Sequence, residues 1–168
     1  MVYQQCDTTG LLTFFSRTDI LAGLGPRHLI YAQNGFAYLA CEVGNQVLKL
    51  RWNGKTFKVL QALSTLPEGF GGENTAAAIR LNPDESRLLV SNRGHNSIAV
   101  YRLDAKGNMT FDATYATPGS PRDFALINER DILVGNQKGK LTLVRLNESK
   151  LEIVDTLAVN GCVCTLVP

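Results

Sequence analysis

Short apolar runs, each closed by turn residues, recur along this chain in a fixed order, and that recurrence limits the fold more than any other feature. The runs are Phe36–Cys41, Val47–Trp52, Arg87–Ser91, Ile98–Leu103, Ile132–Val134, Leu141–Leu146 and Leu151–Leu157. They alternate in polarity or are rich in β-branched residues, and Gly, Asn, Asp or Pro bounds each one. They therefore read as strands joined by tight turns. Asn53-Gly54 and Lys106-Gly107-Asn108 each sit between two such runs, where a hairpin needs residues that tolerate positive φ. Helical periodicity is almost absent.

Laid in register, the runs form a repeat. A first strand begins at Pro26-Arg27, near Thr75, at Pro121-Arg122 and near Cys162, roughly 40–50 residues apart. A second, third and fourth strand follow within each full unit, which is the pattern of a propeller blade. The expected fold is all-β, a β-propeller with about three complete four-stranded antiparallel blades and partial blades at both ends. Residues 26–66, 75–117 and 121–157 are the blades. Residues 1–20, with strands at Val2–Tyr3 and Leu11–Phe15, read as the end of a preceding blade. Residues 161–168, with a strand at Cys162–Val167, read as the first strand of a closing one. Propellers have about 4–8 blades, so three cannot close a ring. Open edges and apolar blade faces then predict self-association.

Composition narrows the function. Of the 168 residues 45% are hydrophobic and 19% charged, with a formal net charge of +2, which fits a globular core. No basic stripe or polybasic cluster marks a nucleic-acid or membrane-surface partner. Met1 to Gly10 is polar and lacks the order of a signal peptide, so a cytoplasmic location is expected. The cysteines Cys6, Cys41, Cys162 and Cys164 form no CxxC pair, and only His28 and His95 accompany them. Buried structural thiols are expected, with no metal and no cofactor. Gly69-Phe70-Gly71-Gly72 precedes no helix that would present amides to a phosphate, so it reads as the loop between two blades.

Blade geometry also sorts the polar residues. The start of a first strand and the end of its antiparallel second strand lie on one face of the disc. Those positions hold Arg27, His28 and Glu42 in the first blade, and Glu73, Asn74, Asn92 and Arg93 in the second. In the third they hold Arg122, Asp123, Asn136 and Gln137. One face near the channel thus gathers arginines, amides and carboxylates. Alternation along a regular strand turns Arg27 and His28 to opposite faces, which makes His28 either structural or a second site group. His95, within Gly94-His95-Asn96, reads as a solvated turn residue.

Several of these segments resemble one family. Gly25-Pro26-Arg27-His28, Tyr38-Leu39-Ala40-Cys41-Glu42, and Leu66-Pro67-Glu68-Gly69-Phe70 leading into Glu73-Asn74-Thr75-Ala76-Ala77 are similar to the lactonase propellers. So are Ser91-Asn92-Arg93-Gly94-His95-Asn96-Ser97-Ile98-Ala99-Val100, Pro121-Arg122-Asp123-Phe124 and Val134-Gly135-Asn136-Gln137. That family includes 6-phosphogluconolactonases and carboxymuconate cyclases. The resemblance implies a seven-bladed ring about twice this length, of which this chain corresponds to the C-terminal half. It also implies that the family's N-terminal half supplies pocket residues with no equivalent here, among them a histidine. Where the family often carries an acidic residue, this chain has Ala78.

The resemblance makes a small anionic lactone the expected partner and assigns roles. Arg27 and Arg93 are the candidate anion-binding residues, because a guanidinium grips phosphate or carboxylate through two bonds. Their alternative is a blade-to-blade salt bridge. Arg122 joins them as a substrate-binding candidate, although its Pro-Arg context repeats that of Arg27 and suits a structural feature of the blade. Glu42 is the candidate general base, His28 a second catalytic candidate, and Arg93 a stabiliser of the oxyanion. Equally, Glu42 can serve only to neutralise the arginines. Asn92 and Asn136 are substrate-binding candidates that can instead satisfy turn backbone. A non-catalytic propeller fragment or binding scaffold, and a cyclase-like lactonizing enzyme, are the competing functional expectations.

Overall fold

The computed structural model describes residues 1–147, 150–159 and 161–167. Those residues hold fourteen strands and no helix. A two-stranded hairpin, β1 (Val2–Gln5) and β2 (Leu12–Ser16), comes first. Three four-stranded antiparallel meanders follow. Blade one is β3 (Pro26–Tyr31), β4 (Phe36–Cys41), β5 (Gln46–Trp52) and β6 (Phe57–Ser64). Blade two is β7 (Thr75–Leu81), β8 (Arg87–Arg93), β9 (Ser97–Leu103) and β10 (Met109–Ala116). Blade three is β11 (Pro121–Leu126), β12 (Asp131–Asn136), β13 (Lys140–Leu146) and β14 (Leu151–Ala158). The all-β propeller expectation holds, and three of the four expected first strands are present, beginning at Pro26, Thr75 and Pro121.

The core lies between blades. Alternation sends Leu88 and Val90 of β8 toward blade one, where they join a cluster with Tyr38 and Val47. The intervening Leu89 faces blade three, against Phe124, Ile132 and Val134. A third cluster packs Leu39, Leu48 and Leu50 of blade one under Leu24 and Ile20. Polar links join the seam between blades one and two. The Tyr38 hydroxyl donates to the carbonyl of Gly107 at 2.8 Å. Buried Lys49 donates to the carbonyl of Lys106 at 2.7 Å and sits 3.9 Å from the Phe36 ring centre. Gly107 has φ of 69°, and a Cβ there would meet that Tyr38 hydroxyl at 2.8 Å, so glycine serves both the turn and the seam.

Each blade carries a bulge at the same place in its first strand. Pro26 pairs with Cys41 and His28 with Ala40, which leaves Arg27 as the extra residue. Pro121 pairs with Asn136 and Asp123 with Gly135, which leaves Arg122. In blade two Ala76 pairs with Asn92 and Ile79 with Val90, so Ala77 and Ala78 together face one residue. A bulge bends the strand and re-aims its side chains, and it falls here where the strand enters the polar face.

Two expectations need correction. Cys162–Val167 forms no strand, since no strand among the described residues pairs with it and a strand is held by its ladder. Pro168, the last residue of the expected closing segment 161–168, lies outside the described residues. Thr165 is nonetheless placed, its amide donating to Asp123 Oδ2 at 2.8 Å. Of the cysteines, Cys41 alone is fully buried, and burial pushes its thiol up to about 11. Cys6 and Cys164 are exposed because they occupy the β1–β2 turn and the unpaired terminal stretch. Apolar side chains also stand exposed at both ends of the array, Leu12 and Phe14 on one side and Ile153 and Leu157 on the other.

Candidate functional site

The site is built where β3 begins, where β4 and β8 end, and where the connection between blades one and two crosses the same face. Glu42 follows β4 in the turn to β5, and its backbone is fixed on both sides. Its amide donates to Gly25 at 2.7 Å, and its carbonyl accepts from Ala76 of blade two at 3.1 Å. Its side chain stands between two guanidiniums. Arg93 Nη2, at the end of β8, donates to Glu42 Oε1 in a short charge-assisted bond. Arg27 Nε lies 3.6 Å from Oε2, beyond direct hydrogen bonding. Side-chain exposure is 12% for Arg93, 25% for Arg27 and 35% for Glu42, so the cluster is sheltered and still open to solvent.

Arg27 has a second anchor. Its Nη1 donates to the carbonyl of Ala77 at 2.9 Å, a group inside the bulge of blade two and hence freed from the ladder. Burial lowers the Arg27 guanidinium below its ordinary value; Glu42 opposes this, and nearby Arg93 and Arg122 add to it. The three arginines thus share one electrostatic neighbourhood. The Nε of Arg93 is buried without a hydrogen-bond partner among the described residues, and such an orphan donor is uncommon. Glu73, Asn74, Thr75, Arg93 and Gly94 line a recess of about 430 Å³ beside it. Gly94 belongs there because a Cβ would meet the Glu73 carbonyl oxygen at 2.1 Å.

His28 and Arg27 both reach β7, which a regular strand forbids and the bulge permits. The Arg80 Nη1 lies 3.4 and 3.2 Å from the two nitrogens of the His28 ring. Burial, then Arg80 and Arg27, lowers the imidazole below the ordinary histidine value against the pull of Asp123. Arg80 also donates to Asp123 Oδ1 at 2.8 Å. Sequence reasoning missed Arg80. Its signal was a lone charge within the apolar run Thr75–Leu81, a position that demands a buried partner.

The amides do not reach the open face. Asn92 is fully buried, donating to the Thr65 carbonyl at 2.6 Å and accepting from the Thr65 hydroxyl at 2.8 Å and from Asn74 at 3.1 Å. Its capacity is spent holding the connection between blades, so its expected substrate contact is corrected to a structural one. Asn136 is likewise 1% exposed and donates to Thr142 at 3.3 Å. Arg122 stays near the face, and its one side-chain hydrogen bond among the described residues goes to Gln137 at 3.5 Å. Asp123 is buried against Arg80 and Thr165. His95 is no solvated turn residue: Nδ1 meets the Ser97 hydroxyl at 2.7 Å, and its ring packs edge-on to Phe70 at 4.7 Å.

A larger groove, about 1020 Å³, lies on the opposite face between blades two and three. Among the described residues it holds one ion pair, Arg102–Asp112 at 2.8 Å, and Asn82 donates to Glu129 at 3.1 Å. The cluster on the first face, which sets one carboxylate between two guanidiniums, is the better candidate. It joins one carboxylate to cations from two blades, and it can bind an anion and exchange a proton.

Comparison with known proteins identifies the family. Residues 1–167 match the family described as lactonase, 7-bladed beta-propeller. An uncharacterized protein of Staphylococcus saprophyticus is 32% identical over 86% of this chain and 44% of its own length. A crystal structure of a Lactobacillus plantarum protein superposes with a TM-score of 0.87 at 35% identity, over 96% of this chain and 50% of that one. The periplasmic gluconolactonase of Pseudomonas aeruginosa superposes with a TM-score of 0.80 at 30% identity, over 86% of this chain and 42% of its own. The chain thus spans about half the length of these relatives. It belongs to the lactonase family of seven-bladed β-propellers.

Proposed function

We propose that the protein opens a small anionic sugar lactone, of the 6-phosphogluconolactone class, at the Arg27–Glu42–Arg93 cluster. One observation carries the reading: a single carboxylate set between guanidiniums from two adjacent blades. Two cations around one anion leave positive charge for an anionic substrate. Membership of the lactonase family and likeness to a gluconolactonase support the chemistry.

The geometry suits hydrolysis as follows. Glu42 Oε1 is tied to Arg93, while Oε2 has no hydrogen bond among the described residues. Oε2 takes a proton from water as the water oxygen bonds to the lactone carbonyl carbon. The carbonyl electron pair moves onto its oxygen, where a guanidinium stabilises it. On collapse the ring C–O bond breaks, and the proton on Glu42 passes to the departing ring oxygen. One arginine serves the developing oxyanion and the other holds the substrate's anionic group.

Hydrolysis of 6-phosphogluconolactone by the purified protein, corrected for spontaneous opening, tests this. The expected result is a rate above background that Arg93→Ala lowers by about 100-fold, the scale of losing one oxyanion donor. No rate above background from folded protein, or unchanged kinetics in the variant, overturns the reading.

A further inference from the structure

The seam between blades two and three shows what a blade face needs. Leu89 of β8 and Ile98 and Val100 of β9 belong to the cluster that closes this seam, and all three are buried. Strand register makes Leu133 of β12 the counterpart of Leu89, and Leu141 and Leu143 of β13 the counterparts of Ile98 and Val100. These three leucines hold the same face of blade three, yet each stays partly exposed. Leu157 of β14 pairs with Leu141, so it shares that face, and it is largely exposed. Blade three thus carries a leucine face patterned like a seam, and no further blade among the described residues covers it.

Residues 162–167 cover its inner end. The Thr165 amide is held by Asp123 Oδ2 at 2.8 Å, and a Cβ on Gly135 would meet Cys162 Sγ at 2.9 Å and Thr165 Cγ2 at 3.0 Å. The segment therefore lies against β11 and β12, as β11 itself lies against β7 and β8 of blade two. It takes the place of a next first strand, with no ladder partner among the described residues.

The other end of the chain offers a matching piece. β1 and β2 form a sheet of two strands, which alone is marginal in water. Phe15 turns toward blade one, its ring 6.4 Å from that of Trp52. Alternation turns Leu12 and Phe14 the opposite way, and Tyr3, paired with Phe14, joins them. All three are largely exposed. The hairpin is half a blade, packed on blade one by one face and apolar on the other.

We propose that the chain pairs with a second copy of itself, head to tail. The Tyr3, Leu12 and Phe14 face of one copy packs on the leucine face of the other, and the hairpin completes a composite blade with residues 162–167 there. Each copy then supplies three blades of its own and one shared blade, so two copies close a ring within the roughly 4–8 blades of propellers. A head-to-tail contact that closes stops growing, whereas one that does not close makes filaments. A second copy fits because both halves of the contact lie on this chain, and two copies supply about the length of one whole relative. Pairing of this kind is independent of the lactone-opening reading.

Native mass spectrometry and light scattering of the 168-residue protein test the pairing. One species of twice the 18.4 kDa chain mass is expected. A monomer overturns the proposal and leaves the leucine face to a different polypeptide; a ladder of longer assemblies overturns the closed ring. Phe14→Asp and Leu157→Asp each put a charge into one half of the contact, at side chains exposed in the single chain. Burying an unpaired charge is costly, so each variant alone should be monomeric. Mixed in equal amounts, the two can form one unmodified contact per pair and should regain dimer, and a mixture that stays monomeric overturns the arrangement. A contact between like ends would be broken by one variant and spared by the other, which also overturns it. Should either variant fail to fold, hydrogen exchange on the unmodified protein decides. Amides of β1 and β2 should exchange at least about tenfold more slowly in concentrated than in dilute protein, and equal exchange overturns the proposal.

Discussion

Blades one and three enter the polar face with the same Pro-Arg pair and the same bulge, yet their arginines end in different company. Arg27 donates to the Ala77 carbonyl and stands over Glu42. Arg122, the equivalent bulge residue, has one side-chain hydrogen bond among the described residues, at the limit of length, to Gln137. The register makes Glu42, Arg93 and Gln137 counterparts, each one residue beyond the matching positions Cys41, Asn92 and Asn136 of the second strands. The bulge is thus a property of the blade, while the chemistry comes from what that following position holds. The same contrast runs one residue earlier. Asn92 is satisfied on every side, whereas its counterpart Asn136 has one bond and a buried oxygen without a partner among the described residues.

The sharpest test of this contrast compares the two bulge arginines. Arg27→Ala should lower kcat/KM for the lactone by about 100-fold, near 2.7 kcal/mol of transition-state stabilisation, and Arg122→Ala by less than about tenfold. Equal losses in steady-state kinetics would erase the distinction between the blades. Stability should separate the amides. Asn92→Ala removes the donor to the Thr65 carbonyl and the acceptor of an Asn74 hydrogen and should cost about 2–3 kcal/mol, against about 1 kcal/mol for Asn136→Ala. Urea unfolding of both variants reads the difference directly, and a reversed order would refute the assignment of Asn92 as the blade staple.

The smallest effect is a pH dependence confined to blade one. His28 binds its proton less readily folded than unfolded, so the unfolded chain holds more protons at mildly acid pH. Stability should therefore fall as pH drops below about 6.5, the unfolded histidine value. His28→Gln should flatten that part of the stability curve; a slope unchanged in thermal melts across the same range would remove the histidine from the account.

Much of the fold was legible because its signals are local. Phe36–Cys41 alternates between two blade faces, Asn53-Gly54 and Lys106-Gly107-Asn108 close hairpins, and the spacing of Pro26, Thr75 and Pro121 counts the blades. The cluster of Arg27, Glu42 and Arg93 followed from placing strand ends on one face. The limits were equally physical. An extra residue in a first strand leaves no mark on hydrophobic alternation, so Arg27 and His28 were expected on opposite faces. Asn92 and Asn136 were expected as substrate contacts because polarity at a strand end does not reveal whether the next connection covers it. Arg80 gave a signal, a lone charge in an apolar strand, but not the identity of its partners.

The sequence by itself determined the strands, their turns and their grouping into blades, because each depends on neighbours a few residues away and on a period of two. The tertiary structure alone decided which charges meet. The contacts from Arg93 to Glu42, Arg27 to Ala77 and Arg80 to both His28 and Asp123 span 43 to 52 residues. Such contacts exist only once blades stack at a fixed distance and the bulges turn their side chains toward one another.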